Sequence, residues 1–195
     1  MKSAAGVLSL YLGMQLDHDA IHGFVYSGEM VALVKAANET ASYLEDLKGK
    51  AATDFVSEAP ILLTSVYQAM LNTLKTEPVF ENGTEPVVSE QEWAAVYQQV
   101  AGILGAGNSF LRPAEEEEFD RSELVTHTIS EDLADVYQEL RDFTTNYSRG
   151  MEEIMNDAAW ELRERFYEHW GKKLLRALLA IHNLAVVATD QTEEG

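Results

Sequence analysis

Apolar residues recur at three- and four-residue steps along most of the chain, the period of helices with one buried face. The pattern is densest from Ser130 to about Ala188, which reads as two long amphipathic helices joined near Gly150. In the first, Ser130 supplies the cap and Glu131 and Asp132 suit the positive end of the helix dipole. Leu133, Val136, Tyr137, Leu140, Phe143 and Tyr147 then form one stripe. In the second, Met151, Met155, Ala158, Leu162, Phe166 and His169 make the core stripe, with Glu153, Asp157, Glu161, Glu164 and Glu168 opposite. A second line, Trp160, Tyr167, Leu174 and Ile181, repeats every seven residues and predicts burial of Trp160 with Tyr167 against another helix of the same chain. Past Gly171 the apolar centre rotates by roughly a quarter turn, at 100° per residue. A continuous helix packed on two sides accommodates this. Phe166 and Trp170, where the two lines meet, are then expected to be buried among three or more helices.

Upstream, Ser27 caps a helix carrying Met30, Val34, Ala37, Ala41 and Leu44, with Gly49 after it. A second runs from about Ser57 to Leu74 on Leu63, Val66, Met70 and Leu74, with Pro60 tolerated in its first turn. Pro78, Asn82-Gly83 and Pro86 mark a loop. Ser89 and Glu92 then form a capping box, flanked by Val88 and Trp93 as a hydrophobic staple. That helix carries Trp93, Val96, Val100, Ile103 and Leu104 and stops at Gly105-Ala106-Gly107. From there to Ser130 the pattern predicts a long connection with Pro113 and the solvated run Glu115 to Glu118. Val-Tyr-Gln occurs at 66–68, 96–98 and 136–138, but its flanks do not repeat, so it reflects helix-core use of tyrosine rather than duplication.

Composition narrows the function more than the fold. At 195 residues, with 46% hydrophobic residues and four prolines, the chain suits one globular domain. The formal net charge of -19 repels phosphate backbones and anionic membranes, which sets aside nucleic acid and membrane surfaces and points to basic proteins or divalent cations. There is no cysteine, so disulfides, thiolate nucleophiles and cysteine metal sites are excluded, in keeping with a cytoplasmic protein. Met1 to Met14 loosely imitates a secretory signal, but Gly6, Ser9 and Gly13 interrupt its apolar run. No stretch has the ~20 uninterrupted apolar residues of a membrane span. Three glycosylation sequons, at Asn38, Asn82 and Asn146, are read as chance.

Candidate chemistry is sparse. Glu131-Asp132-Leu133-Ala134-Asp135 looks like the magnesium-binding helix of all-helical nucleotide pyrophosphatases, in which two acids a turn apart hold the ion. Asp132 and Asp135 are therefore the metal candidates. Those enzymes also need a paired acidic motif on a preceding helix, and Glu115-x-x-Glu118 lacks the apolar period of one. Asp132, Asp135, Glu139 and Asp142 flank the core stripe of their own helix, where solvated carboxylates are the simpler expectation. His18 and His22, four apart with Asp19 between, could share a helix face toward a metal, but the run is short and flanked by glycines. The Glu-x-x-His pairs of a di-iron bundle are missing, since Leu124, Phe166 and Leu179 precede His127, His169 and His182. His169, beside Trp170 on the core stripe, reads as a hydrogen-bonded structural histidine. No nucleophile elbow, phosphate loop or dinucleotide fingerprint appears.

Three segments carry a family resemblance: Val31 to Leu44, Ile129 to Phe143 and Asn156 to His182. Together they resemble the all-helical domain-of-unknown-function family 5063, known chiefly from Bacteroidetes-type bacteria. The resemblance implies an up-and-down helical bundle and brings neither activity nor catalytic residues.

The expectation is therefore an all-α, up-and-down bundle of about five main helices spanning residues 27–188. Residues 1–26 are an N-terminal extension and 189–195 a polar tail. The expected function is that of a non-enzymatic, cytoplasmic module making protein–protein contacts through an acidic surface, with a basic partner. No catalytic or cofactor-binding residue and no cofactor is expected. The alternative is a magnesium-dependent nucleotide pyrophosphatase-like hydrolase using Asp132 and Asp135.

Overall fold

Apolar stripes at helical spacing can be buried only by laying helices against one another. The computed structural model of the chain, which describes residues 18–113 and 124–193, does this as an all-α bundle. A helix over residues 18–25 (α1) precedes α2 (Gly28–Glu45), α3 (Ala52–Asn72) and α4 (Glu90–Leu104). A 3-10 turn (Gly105–Asn108) leads to strands β1 (Ser109–Pro113) and β2 (Leu124–Thr128), then to α5 (Ile129–Tyr147). The last rod comprises α6 (Glu152–Arg165), a π-helical turn (Phe166–Trp170) and α7 (Gly171–Glu193). α5 is the centre, packing against α2, α4, α6 and α7, while α3 covers α2 and α7. Its Leu133, Val136, Tyr137, Leu140 and Phe143 are all buried in the core. Tyr137 is held from α2, its hydroxyl donating to Glu45 Oε1 at 2.9 Å, and burial together with that carboxylate pushes its phenol above the usual range.

Where the start and stop signals are local, the expectations hold. Ser27 Oγ accepts from the Met30 N–H, and the Ser89–Glu92 box closes in both directions. Gly150 separates α5 from α6 with φ +73°, a conformation that suits glycine. Phe166 and Trp170 are buried where the last rod meets α3 and α5, and the Phe166 ring lies 5.1 Å from that of Tyr67.

Elsewhere the structure differs. α3 begins at Ala52, so Pro60 lies well inside it rather than in its first turn. Its φ suits a helix and it forfeits one backbone bond, while Phe55, Ala59 and Leu63 on the same face are fully buried and hold the segment helical. The cap of α5 is Thr128, whose hydroxyl accepts from the Glu131 N–H. Ser130 is instead buried beside Asn108: Asn108 Nδ2 donates to its Oγ, and its N–H donates to Asn108 Oδ1, both at 2.9 Å. Part of the expected long connection is an antiparallel ribbon, with Ser109 opposite Thr128 and Pro113 opposite Leu124. The Glu115 to Glu118 run lies outside the described residues, as does the signal-like segment at the start. Within the stretch expected as an extension, α1 forms and Val25 is fully buried.

The quarter-turn rotation of the final helix has a physical source. Steps of three and four residues join Met155, Ala158, Leu162 and Phe166; continued in the same alternation they would bury His169, then Lys173. The π turn inserts one residue instead, a phase slip of about 100°, and the buried line resumes at Trp170, Leu174, Ala177 and Ile181. His169 is consequently exposed, 3.8 Å from Glu168, and is not a core histidine. For the same reason the seven-residue line splits: Leu174 and Ile181 are buried, whereas Trp160 is only half-buried and Tyr167 is 54% exposed. The rod is continuous, but Trp160 and Tyr167 do not join its core. Gly171 closes the turn by donating its N–H to Phe166 O, and a Cβ there would lie 2.5 Å from that oxygen.

Candidate functional site

On one helix, residues three apart lie on neighbouring lines of one face. Asp132 and Asp135 on α5 therefore present together, and Lys173 and Arg176 on α7 present a matching pair. Arg176 reaches Asp132 with two nitrogens, Nη2 to Oδ1 at 2.7 Å and Nε to Oδ2 at 3.3 Å. His127 Nε2 lies 2.9 Å from the same Oδ1. Asp135 accepts from Trp93 Nε1 at 2.8 Å and from Lys173 Nζ. Asp132 is wholly buried, a position its paired and hydrogen-bonded state explains. Both candidate carboxylates thus face cations and N–H donors of their own chain. Among the described residues no group of three or more His, Asp or Glu could hold a metal ion.

At the other end of α5 the carboxylates do something the sequence pattern did not indicate. Asp157, expected to point away from the core stripe, is fully buried. It accepts the backbone N–H groups of Val79 and Phe80, each at 2.7 Å. Glu161 accepts the N–H of Thr84 at 2.6 Å and its hydroxyl at 2.5 Å. From α5, Asp142 Oδ1 accepts from Val87 N and Val88 N at 2.7 Å. Two asparagines complete the set: Asn156 Nδ2 donates to Glu77 O at 2.8 Å and Asn146 Nδ2 to Glu85 O at 2.9 Å. The connection between α3 and α4 is a strap whose backbone has no ladder of its own, and these side chains satisfy it.

Between strap and helices, Thr84, Glu85, Glu139, Asp142, Glu161 and Arg165 line a cleft of about 20 Å³, room for one water. Burial pushes the Glu139 carboxyl above its usual range, and Arg165, 3.3 Å away, pulls the other way. A nucleotide-sized substrate does not fit there.

The histidine pair singled out in sequence lies on α1, with His22 Nδ1 2.8 Å and His18 Nε2 3.9 Å from the two oxygens of Glu152. α7, by contrast, turns large apolar side chains outward: Leu179 is 62% exposed, and Leu175 and Val186 are nearly half so. No helix among the described residues is long and apolar enough to cross a membrane.

The model of a family described as a domain of unknown function (DUF5063) matches residues 24–187. The structure is similar to the crystal structure of protein BF1032 from Bacteroides fragilis, a structural genomics target, with a TM-score of 0.73 and 26% identity. That likeness covers 83% of this chain and 94% of the other. No curated protein matches the chain.

Proposed function

We propose, from the premise that this chain belongs to the DUF5063 family, that it is a non-enzymatic helical module working through protein–protein contact. Its working unit is the bundle of residues 27–188, its setting is cytoplasmic, and its acidic surface receives a basic partner. One observation carries the reading: the carboxylates best placed for metal chemistry are engaged within the chain. Asp132 is held by Arg176 and His127, and Asp135 by Lys173 and Trp93. Glu29, Glu39, Asp54, Glu77 and Glu90 meanwhile stand exposed on other elements. The hydrolase alternative would require magnesium to displace two cations from a partly buried network, and nothing in the geometry favours it.

The experiment is retention of extract proteins on immobilised chain at low and high salt. Contacts made by exposed charge weaken as the Debye length shrinks. Basic proteins retained at low salt and released at high salt are expected. Neutral or acidic partners that survive high salt would overturn the reading. Magnesium-dependent nucleotide hydrolysis lost in Asp135→Asn would restore the alternative.

A further inference from the structure

We propose that the outward face of α7 joins two copies of this chain, paired antiparallel about a two-fold axis. This goes beyond the functional reading above, because the acids invoked there stand on other elements.

Leu175, Leu179, His182 and Val186 follow one another at steps of four, three and four residues, and all are exposed. That spacing is the seam of a helix expecting another helix. The seam is also a ridge between two grooves. One, of about 310 Å³, runs between α7 and β1 past Leu111 and Leu179. The other, of about 460 Å³, runs between α7 and α3 past Val56, Pro60 and Leu178. Leu179 borders both. A ridge with a groove on each side is complementary to its own copy, since the ridge of one chain enters the groove of the other.

Charge selects the same face. The chain carries a net -19, yet no aspartate or glutamate occurs between Glu168 and Asp190. Two copies therefore meet there with little of the repulsion that opposes contact between acidic faces. Direction follows from charge as well. An antiparallel pairing centred between Leu179 and His182 sets Leu175 level with Val186, and keeps Lys172 of one copy well apart from Lys172 of the other. A parallel pairing would set Lys172 against Lys172.

Analytical ultracentrifugation of the full chain over a dilution series tests the pairing. The mass of two chains is expected for the parent and for Val31→Glu, an equally exposed apolar site on α2 outside the seam. The mass of one chain is expected for Leu179→Glu, with unchanged helical circular dichroism. A one-chain parent at the highest concentration, or a two-chain Leu179→Glu, overturns the proposal, and so does equal loss in Val31→Glu. Disulfide trapping gives a second reading that does not depend on how the glutamate variant folds, because the parent has no cysteine. Residues 175 and 186 are about 16 Å apart along one helix and cannot bond within a chain. Leu175→Cys combined with Val186→Cys should yield covalent dimer on oxidation, and Leu175→Cys alone should not. The reverse result would overturn the antiparallel arrangement.

Discussion

The two ends of α5 use the same residue type in opposite ways. At its start, Asp132 and Asp135 answer side-chain cations of α7, a pairing of charge with charge. Toward its end, Asp142, with Asp157 and Glu161 of α6, answers backbone N–H groups of the strap. The first arrangement fixes how two helices sit against each other. The second lets a segment without secondary structure lie over the bundle with its amides satisfied. A buried carboxylate therefore signals an obligation to be met, and what meets it depends on which element arrives.

Removing Asp132 should have the largest effect. Asp132→Ala removes a wholly buried carboxylate that Arg176 and His127 both engage, and should cost about 3–5 kcal/mol in chemical denaturation. If the site is a charge pair, Arg176→Met in the same chain should recover much of that loss. No recovery would mean that Asp132 acts mainly through His127.

Asp157→Ala should cost somewhat less, about 2–3 kcal/mol, because the freed amides of Val79 and Phe80 lie on partly exposed residues that water can reach. Here no second substitution should rescue. Hydrogen exchange should accelerate at Val79 and Phe80 while the amides of α5 remain protected. Uniform acceleration throughout the bundle would show that the strap is not a separate unit.

Gly171→Ala probes what aligns the charge pairs. Its Cβ would collide with Phe166 O, so the π turn must widen or close, at about 1–3 kcal/mol by analogy with overpacking. Closing the turn would rotate Lys173 and Arg176 off Asp135 and Asp132. The loss should then shrink in an Asp132→Ala background, and strict additivity would uncouple the turn from the pairs.

The smallest effect belongs to Glu139, beside the strap. Burial raises its folded-state pKa above the unfolded value, so its proton is held more tightly in the fold. Its contribution is most favourable below the ordinary glutamate range and is lost as pH rises through the raised value. Glu139→Gln should therefore melt at or slightly above the parent temperature at neutral pH, and the difference should vanish or reverse in acid. A variant less stable at neutral pH would give Arg165 the larger share.

What the amino-acid sequence determined by itself is local. Apolar spacing placed the five long helical rods, because burial of one face is the main demand on a surface helix. Ser27, the Ser89–Glu92 box and Gly150 marked their boundaries, because caps and left-handed turns act within a few residues. Tertiary structure decided whatever depends on a neighbour. It made Thr128 rather than Ser130 the cap of α5, since Asn108 claims Ser130. It turned His169 out and Trp170 in, because the π turn adds a residue that Gly171 alone permits without a clash. It also assigned Asp132 to an arginine and Asp157 to two amides, though the first read as an acid flanking its apolar stripe and the second as one opposite it. A side chain's period states which way it points; the element packed opposite supplies its partner.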